Sequence, residues 1–168
     1  MARVNVTLTF AGSVHEAEMC WYDTARWPAW VDGLERVSEV SATWPAAGAT
    51  VIWQSGPAGR GRVTERVIAH EPLEGQTTEV EDDSIRGHQS VSFVPAGDRV
   101  EVRMALEYEI KQRSIFTPLV DVLFIRRAMT ASLRTTLTRF GVELDEMRAS
   151  GVGRRTLDSA EAPPPGGE

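Results

Sequence analysis

From Leu34 to Ile110 the chain alternates apolar and polar residues in six successive stretches, and no connection between them is long enough to hold a helix. Period-2 alternation sends side chains to opposite faces of an extended backbone, so each stretch reads as a half-buried strand. The stretches are Arg36–Ala42, Ala49–Ser55, Arg60–His70, Gln76–Asp82, Gly87–Val94 and Arg99–Lys111. Turn-forming runs such as Pro45-Ala46-Ala47-Gly48, Gly56-Pro57-Ala58-Gly59 and Pro95-Ala96-Gly97-Asp98 divide them. Parallel neighbours need a crossover of about a dozen residues or more, so these strands must be joined as antiparallel hairpins. The last is the cleanest: Val100, Val102, Met104, Leu106, Tyr108 and Ile110 share one face, and Glu101, Arg103, Glu107 and Glu109 share the other.

What flanks this meander completes the architecture. Val4, Val6, Leu8 and Phe10 alternate with polar residues as a first strand, which Gly12 and Ser13 stop. Ser13 and Glu16 have the spacing of a capping box, predicting a short helix to about Tyr22. Asp23 to Trp30 holds Pro28 among aromatic residues and predicts a second short helix or a tight turn. After the meander, Thr117-Pro118 supplies an N-cap and a first-turn proline. Leu119, Val122, Met129, Leu133, Leu137, Phe140, Leu144 and Met147 then recur on one helical stripe. A helix to about Met147 would be roughly 30 residues, or about 45 Å, long. The expected fold is thus α+β: a curved seven-stranded antiparallel sheet, two short helices, and one long C-terminal helix gripped by the sheet. One helix does not fill the concavity of such a sheet, so a cavity is expected between them. Residues 1–148 are expected to form this domain, and the Pro/Gly-rich 149–168 a disordered tail.

Charge and composition narrow the function classes. A formal net charge of -6 argues against a nucleic-acid backbone or an anionic membrane as the main partner. The longest apolar run, Leu119 to Ile125, is interrupted by Asp121 and falls short of a membrane span. Cys20 is the single cysteine, and His15, His70 and His88 lack metal-ligand spacing, so no disulfide, metal or cofactor is expected. The first residues alternate and do not form the apolar core of a secretory signal. A cytoplasmic protein, monomer or homodimer, is the expectation.

Trp21-Tyr22-Asp23 followed by Pro28-Ala29-Trp30, within this element order, resembles the polyketide cyclase-like branch of the START-like superfamily. Phe93 to Val102 is similar to that family's penultimate hairpin, and Phe124-Ile125-Arg126-Arg127-Ala128-Met129 to its closing helix. The resemblance spans Val4 to Met147 and implies a helix-grip fold with a hydrophobic ligand. It carries over no catalytic residue, because the branches share none.

The residues themselves supply candidates for the cavity. Glu65 lies in phase with Val63, Val67 and Ala69. Either it faces the cavity, where burial would raise its pKa, or the register differs and it is solvated. Gln89 is in phase with Val91 and Phe93 and either offers its amide to a ligand or sits at the rim, while His88 points outward. Arg126 falls centrally in the helical stripe, either inside and paired with Glu65 or an acidic ligand, or snorkelling to solvent. All five tryptophans fall between residues 21 and 53, where they line a cavity or pack the core, and Trp53 is the best ligand contact among them. The candidate cavity is therefore Trp30, Trp53, Glu65, Val67, Gln89, Val91, Phe93, Met104, Leu106, Tyr108, Val122 and Arg126. Three functions fit: binding of a lipid, isoprenoid or polyketide-like molecule, a polyketide cyclase/dehydratase-type enzyme, or a protein-interaction domain with no ligand.

Overall fold

A computed structural model describes residues 1–57, 59–111 and 119–160, with backbone alone for 119–122 and 152–160. The elements run β1 (Ala2–Ala11), α1 (Val14–Tyr22), α2 (Trp27–Trp30), β2 (Leu34–Val40), β3 (Thr50–Ser55), β4 (Arg62–Glu71), β5 (Gly75–Glu81), β6 (Ile85–Ala96), β7 (Arg99–Ile110) and α3 (Leu119–Ala160). The seven strands form one sheet in the order β1-β7-β6-β5-β4-β3-β2, antiparallel throughout. This is the expected meander, with β1 returning to close against β7 and leaving β1 and β2 as the edges. No helix among the described residues is long and apolar enough to cross a membrane.

Local chemistry accounts for the element ends. Ser13 Oγ accepts from the Glu16 amide at 3.2 Å while Glu16 Oε2 accepts from the Ser13 amide at 2.8 Å, a complete capping box at the start of α1. Gly97 holds φ at 68° in the β6–β7 turn, a left-handed conformation that costs a side-chain-bearing residue energy. Along β7, Val100, Val102, Met104, Leu106 and Tyr108 are all buried, as the alternation requires. Irregularities occur where the register shifts: twice between β2 and β3, at Leu34/Arg36 and Val37/Glu39, and once between β4 and β5, at Val67/Ala69. The last takes Ala69 out of phase with Glu65 and Val67, so Ala69 is exposed whereas those two are buried.

The core lies between the concave face of the sheet and α3, with α1 and α2 sealing one side. Leu133, Leu137, Phe140 and Leu144 are buried along α3, and Met129 and Met147 pack partly against the same cluster. The helix comes close to β1 at Gly141, where a Cβ would lie 2.5 Å from Phe10 Cε1. Gly141→Val should therefore destabilise by about 1–3 kcal/mol despite removing a helical glycine, because the Phe10 ring is wedged against Phe140. Urea denaturation checks this, and an unchanged midpoint would mean that Phe10 swings away freely.

Two expectations need correction. α3 continues to Ala160, past the end expected near Met147, so residue 148 marks no helix boundary. The segment contains no proline, and Gly151 and Gly153 weaken a helix by about 1 kcal/mol each without ending it. Residues 161–168 lie outside the described residues, as does the Thr117-Pro118 helix start. The second correction concerns Arg126, which is exposed together with Leu123, Phe124, Arg127 and Ala128. The stripe keeps its direction toward the N-terminal end of α3, but the core beneath it runs out, and water covers this end.

Candidate functional site

A cavity of about 50 Å³ lies between the sheet and α3. Every second residue of β4, β5, β6 and β7 points toward it, delivering Glu65, Gln76, Thr78, Gln89, Val91 and Met104. Trp53 on β3 and the rings of Trp21, Trp27 and Trp30 on α1 and α2 close another side. Ser132, Leu133 and Thr136 form its α3 wall, and Arg60 enters from the loop before β4.

The aromatic wall is tightly ordered. Trp21 and Trp30 lie 4.8 Å apart, and Phe140 meets each of them edge-on at 5.2 Å. The corner after α2 is clamped to the helix: Thr136 Oγ1 accepts from the Asp32 amide at 3.0 Å, and Ser132 Oγ donates to Asp32 Oδ2 at 2.8 Å. Asp32 also faces Arg139 at 3.4 Å. These bonds fasten the flap Val31-Asp32 over the cavity.

The polar end is built around Glu65, whose carboxylate accepts from Trp53 Nε1 at 2.9 Å. Burial raises its pKa, opposed by the Trp53 bond, the Arg60 charge and the neighbouring Thr78 hydroxyl. That hydroxyl favours the carboxylate by proximity but makes no bond of good geometry, being among the buried polar atoms without a partner. Arg60 stacks over the Trp53 ring at 5.6 Å and gives its Nε to Asp82 Oδ2 at 2.5 Å. Three buried atoms around the cavity have no hydrogen-bond partner among the described residues: Trp30 Nε1, Arg60 Nη2 and Thr78 Oγ1.

A raised carboxylate pKa has a consequence for stability. Folded Glu65 holds its proton more tightly than unfolded glutamate, so its contribution is complete below about pH 4.5 and is lost as pH rises through the folded value. Glu65→Gln keeps an acceptor for Trp53 and carries no charge to bury. The variant should match wild type near pH 4 and exceed its Tm by roughly a few degrees near pH 8. A variant less stable than wild type near pH 8 would show that the ionised carboxylate is welcome there.

Trp30, Trp53, Glu65, Gln89, Val91 and Met104, expected at the cavity, do line it. Val67, Phe93, Leu106 and Tyr108 are buried but belong to the surrounding core. The side chain of Val122 lies outside the described residues. Arg126 makes no pair with Glu65; it is exposed, and it registers inside only as a charge favouring ionisation of the Tyr108 hydroxyl, whose pKa burial raises. Arg60, Gln76 and Thr78 join the cavity lining unexpectedly, as do Val31 and Asp32 after α2 and Ser132, Leu133 and Thr136 of α3. Gln76 and Thr78 alternate in phase with buried Val80, a signal of the same kind that singled out Glu65. Arg60 sits in a turn, where no periodicity applies. Cys20 is no nucleophile, since burial pushes its thiol up to about 12.

A family model described as polyketide cyclase/dehydrase and lipid transport matches residues 1–144. Among solved structures, a START superfamily protein from Mycobacterium smegmatis superposes with a TM-score of 0.70 at 14% identity, over 86% of this chain and 98% of that one. The di-domain ARO/CYC StfQ from the steffimycin biosynthetic pathway gives 0.71 at 15% identity, over 88% of this chain and 51% of its own. Norcoclaurine synthase from Thalictrum flavum, in complex with dopamine and hydroxybenzaldehyde, gives 0.63 at 14% identity, over 86% and 87%. At such identities the likeness is one of fold. No curated protein matches this chain in sequence.

Proposed function

Because the chain belongs to the polyketide cyclase/dehydrase and lipid transport family, we propose that it binds a small, largely apolar molecule between the sheet and α3. The observation that carries this reading is the cavity itself, between the sheet and α3: eight of its sixteen lining residues are aromatic or aliphatic, four of them tryptophans, and the other eight are polar or charged. A concave site with a large aromatic wall and polar groups able to orient a ligand is the usual make-up of a small-molecule site. At about 50 Å³ the cavity has room for a few water molecules or one functional group, against roughly 300 Å³ or more for a whole ligand. Binding therefore requires the Asp32 flap to part from Ser132 and Thr136 so that the body of the ligand enters behind its polar end. Native mass spectrometry of freshly purified protein, with organic extraction, should reveal a co-purifying small molecule. Its absence, with tryptophan fluorescence unmoved by a panel of apolar ligands, would favour the interaction-domain reading.

A catalytic reading has one specific support. Glu65 is a buried carboxyl in the cavity wall whose pKa burial raises, the direction that suits a carboxyl to exchange a proton with a bound substrate. Turnover lost in Glu65→Gln with ligand affinity unchanged would establish it.

A further inference from the structure

We infer that the open margin of β1 is the contact between two copies of this chain, paired antiparallel about Asn5 so that the two sheets become one. The pairing concerns the sheet edge and is independent of what the cavity holds.

The register of β1 on β7 fixes which backbone groups face outward. Gly12 donates its amide to the Asp98 carbonyl at 3.1 Å, continuing the pairing of Phe10 with Val100 and Leu8 with Val102. Hydrogen-bonded and non-bonded pairs alternate along an antiparallel ladder, so the even-numbered residues of β1 spend their amides and carbonyls on β7. Those of Arg3, Asn5, Thr7 and Thr9 point away from it. The Thr9 carbonyl is taken by Arg99, whose guanidinium donates to it at 3.0 Å. Among the described residues nothing takes the outward groups of Arg3, Asn5 and Thr7. Sheet edges in monomeric proteins are commonly guarded by proline, a bulge or repeated charge. β1 has no proline and no register shift, and its one charge, Arg3, is occupied with Glu107 at 3.4 Å.

These three residues are symmetric about Asn5, which selects the occupant. In an antiparallel pair centred there, Arg3 faces Thr7 of the second copy, Asn5 faces Asn5 and Thr7 faces Arg3, giving about six backbone hydrogen bonds. On the outer face the two Asn5 side chains can exchange amide bonds. The two Arg3 side chains stand about 14 Å apart, beyond a Debye length at physiological salt. On the concave face Val4 meets Val6, and Ala2 meets Leu8, which is only half-buried in a single copy. Polar thus falls on polar and apolar on apolar, and no like charges oppose each other, as cross-strand neighbours require. A segment that complements itself in this way suits a second copy better than an unrelated strand.

Sedimentation equilibrium of the full chain tests this. The wild type should be dimeric at about 200 µM, and amide exchange at Arg3, Asn5 and Thr7 should slow as concentration rises. The Asn5 side chain is exposed, so Asn5→Lys and Asn5→Glu should leave the melting temperature unchanged while setting like charges opposite each other across the contact. Each variant alone should raise the dissociation constant about fivefold or more. An equimolar mixture of the two should recover wild-type association within about twofold, because lysine then faces glutamate. A wild type still monomeric at about 200 µM would overturn the second copy as occupant. Amides protected equally at every concentration would overturn it too, since the chain's own residues would then cover the margin. A dimer that neither variant weakens would place the contact elsewhere. Variants that the mixture does not rescue would show that Asn5 does not face itself. Either of these last results overturns the pairing.

Discussion

Phe140→Ala should cost about 3–5 kcal/mol and bring the domain close to unfolding at ambient temperature. Phe140 is fully enclosed and meets Phe10 of β1 at 5.7 Å, Trp21 of α1 at 5.2 Å and Trp30 of α2 at 5.2 Å, each edge to face. Its ring is thus the point where the long helix is fixed to the sheet edge and to both short helices. Truncation opens a void flanked by large rigid rings that collapse poorly, which is the condition for the upper part of the range. Val142, two residues on and 58% exposed, provides the control: Val142→Ala should stay within about 0.5 kcal/mol. Urea denaturation with midpoint and slope recorded separately makes the measurement. A loss below about 1 kcal/mol at Phe140 would mean that α3 is not seated as described.

Asp82→Ala should cost about 3 kcal/mol, and for a different reason. The side chain of Asp82 is only 1% exposed. Its Oδ1 accepts from the Ser84 amide at 2.7 Å and the Ile85 amide at 2.8 Å, and its Oδ2 holds Arg60 at 2.5 Å. Removal frees two backbone donors in the β5–β6 turn and leaves the guanidinium beside Trp53 without its anion. Arg60 is 30% exposed, so solvent screens part of the charge loss, and the amides account for a large share. Asp82→Asn, which keeps an acceptor at the turn, should lose less than half as much. Equal losses in the two variants would assign the whole effect to the ion pair. Because Arg60 leans on Trp53, Asp82→Ala should also shift the tryptophan emission maximum before any unfolding.

The fold was legible because its signals are local and repeated. Alternation along β7, the capping box at Ser13 and the short Gly/Pro turns each act over a few residues, and together they leave the meander no other topology. The site was legible in part. Glu65 was visible as a charge in an apolar phase, and the same reasoning extended to Gln76 and Thr78 would have found more of the polar end. Arg126 misled because periodicity gives the direction of a side chain and not the depth of the core beneath it. Arg60 was invisible because its position depends on Asp82, 22 residues away in sequence. Which buried atoms lack partners is a property of the assembled molecule, and no sequence pattern encodes it.

The register shifts along β2 bear on how this protein stays dispersed. β2 is one open margin of the sheet, and an unpaired margin invites another chain to add as an eighth strand. Two irregularities within seven residues spoil the even row of amides and carbonyls that such growth needs, and Glu35, Arg36 and Glu39 add charge along it. A fibril seed pairs with a flat, regular template, and β2 offers none. Association by strand addition is thus steered to the opposite margin, β1, whose ten-residue pairing with β7 runs without a break in register.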